Sequence, residues 1–154
     1  MYEISITPQP DRHLAGMPHT GAYTAIGAAF EKVAMICSTR HMWPKVQGMV
    51  GIYMDDPDAT AEADLNSFAG VILPDGEAVE GPLEIHDIKG GKTAVLRFKG
   101  PYSGLKDAYN YLYGVWLPQS GEEIRDQASY EVYLNDPSDT APEDLLTDIC
   151  VPLK

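Results

Sequence analysis

The sequence predicts an α+β fold: two strand–helix–strand–strand (SHS2) modules that form an antiparallel sheet, with the helices on one face and a central groove. Three observations predict it. Short segments alternate apolar and polar residues with the period of two of a half-buried strand. Two longer segments, about residues 25–40 and 104–117, carry apolar residues at helical spacing. The second half of the chain also repeats the first.

Residues 2–7 alternate and stop at Pro8, and residues 14–19 form a second candidate strand. Thr24 is placed to cap a helix over about residues 25–40, whose apolar stripe is Ile26, Ala29, Phe30, Val33, Ile36 and Cys37. Residues 47–54 form a strand, Asp55-Asp56-Pro57-Asp58 an exposed turn, and residues 65–73 a strand that ends at Pro74. Residues 75–82, rich in proline, glycine and acid, read as a linker. The pattern then starts again. Residues 83–88 and 93–98 are strands around Lys89-Gly90-Gly91-Lys92, a hairpin turn by composition. Ser103 caps a helix over about residues 104–117, and Pro118 stops it. Residues 129–135 alternate, a loop follows at 136–139, and residues 146–153 are the last strand. The expectation is a single domain over residues 1–154, with module 1 at about 1–74 and module 2 at about 83–154.

The repeat is checked by offset. Tyr53–Leu65 aligns with Tyr133–Leu145 eighty residues on, identical at seven of thirteen positions. At an offset of 79, Gly21, Tyr23 and Thr24 match Gly100, Tyr102 and Ser103, and the helix stripes correspond. Each copy alone is too small to cover its own sheet face, so the two are expected to pair about a pseudo-twofold axis.

Composition narrows the function. The 154 residues carry a formal charge of −12, which repels nucleic acid phosphates and points away from direct nucleic acid binding. Acidity suits a cationic ligand or a basic partner surface, although solubility is its ordinary cause. No apolar run is long enough to span a bilayer. The start Met1-Tyr2-Glu3-Ile4 lacks the pattern of a signal peptide, so a cytoplasmic location is expected. Cys37 and Cys150 lie far apart without metal spacing and read as buried hydrophobes. The four histidines form no ligand motif, so neither a metal nor a cofactor is expected.

The copies are most informative where they differ. Gly51 corresponds to Glu131, Ala34 to Tyr113, and Cys37 to Trp116. Tyr109, Tyr113 and Trp116 fall at i, i+4 and i+7, one stripe of the second helix. With Tyr53 and Tyr133 on related strand positions, they outline an aromatic cleft between the modules with Glu131 at its base. A partly buried carboxylate ringed by aromatics attracts a flat or cationic organic ligand through charge and cation–π contact. Desolvation of such a group also suits it to general acid or base work. The competing reading is that the aromatics are core and Glu131 is salt-bridged or exposed.

Tyr130-Glu131-Val132-Tyr133-Leu134-Asn135, the segment from Glu84 to Val95, and Trp116-Leu117-Pro118 with Ser120-Gly121 together resemble the GyrI-like small-molecule-binding domains. These include the DNA gyrase inhibitory protein and the effector-binding domains of AraC- and MerR-type regulators. The resemblance covers essentially the whole chain. It implies the duplicated SHS2 fold, a ligand in the groove, and contact with that ligand by Glu131 and flanking aromatics. Some stand-alone members resemble hydrolases that open cyclopropane rings of DNA-alkylating natural products with an acid and a tyrosine. Glu131 matches the acid, and no motif places the tyrosine. The family's regulators carry an N-terminal helix-turn-helix, whereas here the strand pattern begins at residue 2.

The first expectation is therefore a small-molecule-binding protein that captures a hydrophobic, aromatic or cationic ligand through Glu131, Trp116, Tyr113, Tyr133, Tyr53 and Tyr109. The second is a hydrolase with Glu131 as its catalytic residue. The third is a gyrase-inhibitor-like factor with DNA gyrase as partner, motivated by the acidity and the expected hairpin at Gly90-Gly91.

Overall fold

A computed structural model describes residues 2–154. They form eight strands: β1 (Glu3–Gln9), β2 (Arg12–Thr20), β3 (Gly48–Tyr53), β4 (Asn66–Leu73), β5 (Glu84–Ile88), β6 (Gly91–Lys99), β7 (Ser129–Tyr133) and β8 (Leu146–Pro152). The helices are α1 (Gly27–Thr39), α2 (Leu105–Tyr111) and α3 (Leu117–Ser120), with a π-helical stretch, Leu112–Trp116, joining the last two. The α+β class and the antiparallel pairing are those the sequence predicts. Among the described residues, no helix is long and apolar enough to cross a membrane.

The chain divides into two compact units. The first is Asp11–Lys89, and the second is Gly90–Lys154 together with the segment that ends at Pro10. In the first unit the strands run β3-β4-β2-β5, and in the second β7-β8-β6-β1, every neighbour antiparallel. The two orders are equivalent with one exchange. The leading strand of each sequence copy, β1 or β5, pairs in the sheet built by the other copy. The compact units therefore do not coincide with sequence copies divided near residues 74 and 83.

This exchange removes the hairpin expected at Lys89-Gly90-Gly91-Lys92. β5 pairs with β2, whereas β6 pairs with β1 and β8, so the chain passes there from one unit to the other. Gly91 takes a φ of 135°, and a side chain on it would meet the Arg125 guanidinium at 2.6 Å. At the equivalent passage after β1, Pro10-Asp11 cannot make a two-residue hairpin, because such turns need a positive φ that proline forbids.

Residues 75–82 are not a free linker either. Arg40 donates to the carbonyls of Glu80 at 2.9 Å and Gly81 at 2.6 Å, and Lys45 pairs with Glu77 at 2.9 Å. Val79 packs against the core of the first unit, which includes Ala15, Val33, Cys37, Val71, Leu73 and Leu83. The second unit is centred on Ala94, Leu96, Phe98, Ala108, Leu112, Ile149, Val151 and Leu153. Both cysteines are buried and unbridged, and burial pushes the Cys37 thiol up.

The repeat is visible in the hydrogen bonds. Gly21 N–H donates to the Leu65 carbonyl at 2.8 Å, and Gly100 N–H to that of Leu145 at 2.9 Å. Both glycines sit at positive φ, 119° and 142°. Asp56 and Asp136 each accept from the backbone N–H two residues on, the self-closing turn that aspartate favours.

The helix ends differ from expectation. Thr24 and Ser103 lie inside short 3-10 turns, Tyr23–Ala25 and Tyr102–Gly104, and the caps are Ile26 and Gly104 without side-chain hydrogen bonds. Pro118 does not stop the second helix. The Leu117 N–H reaches back to the Leu112 carbonyl, a π-type bond, and Pro118 falls in the first turn of α3, where a missing N–H costs little. The helix ends at Gly121, in the left-handed conformation with φ 76°. Val115, which matches Ile36 of the first helix's apolar stripe at the offset of 79, is exposed.

Candidate functional site

β7 begins the site. It carries Glu131 opposite Ile149 of β8, on the face that α2 covers, and Tyr133 opposite Thr147 on that same face. Burial does not alternate as a half-buried strand would have it: Tyr130 and Glu131 are both buried, the glutamate at 5% exposure. A carboxylate this deep requires hydrogen-bonding partners.

Two tyrosines supply them. The Tyr109 hydroxyl, from α2, donates to Glu131 Oε2 at 2.6 Å. The Tyr133 hydroxyl, two residues along β7, donates to Oε1 at 2.7 Å. Both distances are those of charge-assisted O–H···O bonds. A phenol donates without carrying a charge of its own, and the two contacts together hold the carboxylate in position.

The helix extends the cluster. The Tyr109 and Tyr113 rings stack at 6.3 Å with 7° between their planes, and Tyr113 is 37% exposed, so the stack runs from the carboxylate to solvent. Trp116 is half-buried against the core of the second unit. Tyr113 and Trp116 both lie on the π-helical stretch, whose wider turn alters where side chains emerge. Cys37, which corresponds to Trp116, is fully buried on a regular helix.

Tyr102, which matches Tyr23 and so marks no difference between the copies, joins the cluster. Its ring meets the Tyr133 ring edge-on at 5.8 Å. Burial pushes its phenol above the usual value, and the charges of Asp136 and Glu131 push it the same way.

Glu131, Tyr109, Tyr113 and Tyr133 are thus brought together, with Trp116 on the same helix. Tyr53 belongs to the first unit, where its ring meets Tyr23 edge-on at 4.9 Å. There Gly51, opposite Ala69, takes the place of Glu131 and offers no side chain. Asn135 builds the following loop, its Oδ1 accepting from Leu146 N–H at 2.9 Å. Two concavities of about 550 and 130 Å³ open elsewhere on the second unit, around Glu3 and the Arg97–Asp148 pair, and share no lining residue with this cluster.

The sequence model of the family described as GyrI-like small molecule binding domain matches residues 2–154. The chain is 28% identical over 159 residues to the probable transcriptional regulator YgiV of Escherichia coli (strain K12), covering 98% of this chain and 96% of that protein. The C-terminal domain of EcmrR superposes with a TM-score of 0.77 at 17% identity, covering 100% of this chain and 98% of that domain. In the EcmrR–DNA complex the chain spans 57% of the EcmrR chain, with a TM-score of 0.76 and 17% identity over 99% of its own length. SAV2435, solved with tetraphenylphosphonium bound, gives a TM-score of 0.72 at 15% identity, covering 99% of this chain and 94% of that one. At these identities the structures show a shared fold.

Proposed function

This chain belongs to the GyrI-like family of small-molecule-binding domains, and we propose that it captures a cationic aromatic ligand at the Glu131 cluster. One observation carries the reading. A carboxylate at 5% exposure is gripped through both oxygens by Tyr109 and Tyr133, beside the Tyr109–Tyr113 stack. The anion attracts a delocalised cation, and the faces of Tyr113 and Trp116 add cation–π and dispersion contact. The tetraphenylphosphonium on SAV2435 makes that ion a natural probe.

Glu131→Gln keeps the volume and removes the charge. Its affinity for tetraphenylphosphonium, by isothermal titration, is expected to fall about tenfold, with a far smaller loss for an uncharged aromatic of similar size. Equal losses for both would sink the charge-pairing role.

A hydrolase is the second reading, and the two phenols on Glu131 favour it, since they supply tyrosines that no sequence motif placed. Glu131 would then orient or deprotonate water for attack on a cyclopropane-bearing electrophile. Product formation abolished by Glu131→Ala supports that reading; stoichiometric binding without product supports capture. For DNA gyrase as a partner, only the acidity is left as a motive, because the chain makes no hairpin at Gly90-Gly91.

A further inference from the structure

The two units position equivalent tyrosines at the start of equivalent 3-10 turns, Tyr23 and Tyr102. Their hydroxyls have different surroundings. In the first unit, Tyr23 Oη donates to the Asp55 carbonyl at 2.6 Å, approaches that of Asn66 at 3.2 Å, and accepts from the Asp55 N–H at 2.9 Å. It fastens the turn after β3 to the start of β4. The first unit also makes this joint with Met54 N–H donating to the Asn66 carbonyl at 3.0 Å and Asn66 N–H to Asp55 Oδ2 at 2.7 Å, and the second unit repeats that pair of bonds without a tyrosine hydroxyl added to it. Leu134 N–H donates to the Leu146 carbonyl at 3.0 Å and Leu146 N–H to Asn135 Oδ1 at 2.9 Å. The Tyr102 hydroxyl makes no hydrogen bond to any described residue, and the side chain is 39% exposed, its ring against that of Tyr133.

A second hydroxyl in the same corner points the same way. Thr147 faces Tyr133 across the β7–β8 pair, is fully buried, and its Oγ1 has no partner among the described residues. Its counterpart Ser67 donates to the His19 carbonyl at 3.5 Å. Two hydroxyls therefore lack a protein acceptor among the described residues where both counterparts have one: that of Tyr102, whose ring meets Tyr133, and that of Thr147, paired with Tyr133 across the strands. Thr147 is sealed from solvent; Tyr102 is not.

We propose that Tyr102 forms a polar subsite beside the Glu131 cluster, donating a hydrogen bond to an acceptor oxygen, such as a carbonyl or ether, on the bound molecule. The inference rests on the small-molecule reading above and narrows its ligand class. The ligand is a cationic aromatic that carries an acceptor oxygen, not an all-hydrocarbon cation. A phenol hydroxyl is well suited to this, because it rotates freely to meet an acceptor and carries no charge to repel the cation.

The test pairs two probes against Tyr102→Phe, which keeps the ring and removes the hydroxyl. Tetraphenylphosphonium has no acceptor atom; rhodamine 6G is a delocalised cation with an ester carbonyl. Removing one ligand hydrogen bond is expected to weaken rhodamine 6G about tenfold and leave tetraphenylphosphonium within about twofold. Tyr23→Phe, the control, is expected to lower the urea midpoint, since it releases a structural joint, whereas Tyr102→Phe leaves that midpoint unchanged. Equal effects of Tyr102→Phe on both probes, or a wild type that binds tetraphenylphosphonium but not rhodamine 6G, would overturn the subsite and leave the small-molecule reading standing. A wild type that binds neither probe overturns both.

Discussion

Gly51 and Glu131 occupy one place in two copies of the same structure, and what separates them is an entire functional group. The glutamate brings a buried carboxyl group, and the tyrosines that satisfy it come from both sides: Tyr109 from the helix and Tyr133 from its own strand. Thr147 beneath Tyr133 is the unsatisfied member of this corner. An orphaned buried hydroxyl costs about 1–3 kcal/mol. Thr147→Val, which keeps the shape, is therefore expected to raise the unfolding free energy by about 1 kcal/mol, read as a higher urea midpoint at unchanged slope. A lower midpoint would mean that the hydroxyl is satisfied in solution, by water for example. The differences between copies led to Glu131, Tyr113 and Trp116 directly, because a substitution against a duplicate is visible in sequence. Tyr102 was not legible that way. It is identical in both copies, and only the hydrogen bonds around Tyr23 reveal that the shared residue does different work.

At the scale of elements, most strand and helix positions were legible because each carries a clear period and a strong punctuating residue. What failed were the helix ends and the pairing. Pro118 stops an α-helix by lacking an N–H, but the π-type bond from Leu117 to Leu112 lets the chain absorb it, and no residue pattern announces that wider turn. Pairing failed for a related reason: alternation predicts that β5 is a strand and says nothing of its partner. β5 is held against β2 partly by His13. Its Nδ1 lies 2.6 Å from Asp87 Oδ1 and its Nε2 lies 2.7 Å from the Glu77 carbonyl. Both partners are acceptors, so both contacts together need the doubly protonated imidazolium. The Glu77 carbonyl raises the His13 pKa above its ordinary 6.5, burial opposes this, and Asp87, with Asp75 behind it, adds to the rise. A raised folded pKa places the sign. This stabilisation is full below pH 6.5 and is lost as the pH climbs through the folded value. Urea midpoints measured across that window should fall for the wild type and stay nearly level for His13→Gln. Parallel curves for the two proteins would show that the contact contributes no pH dependence.

The exchange of β1 and β5 is a property of the whole chain, and it has a consequence for stability. The second unit draws its edge strand from the far end of the sequence, with residues 11–89 intervening, whereas every strand of the first unit lies within those residues. Deleting residues 1–10 leaves β6 paired only with β8 and strips Ile4 and Tyr2 from the core of the second unit. The strands of the first unit keep all the pairings they make with one another. A strand pair of this kind closes a long loop and is late to form, and its loss falls on one unit. The two tryptophans can report it separately. Trp43 lies in the first unit, its Nε1 donating to Ser38 Oγ at 2.9 Å, and Trp116 lies in the second. In a Trp43→Phe background the fluorescence of Trp116 follows the second unit; in a Trp116→Phe background Trp43 follows the first. The deletion is expected to lower the urea midpoint seen by Trp116 well below that seen by Trp43. Equal displacement of both transitions would overturn this, showing that the units unfold as one body and that the division in topology has no counterpart in stability.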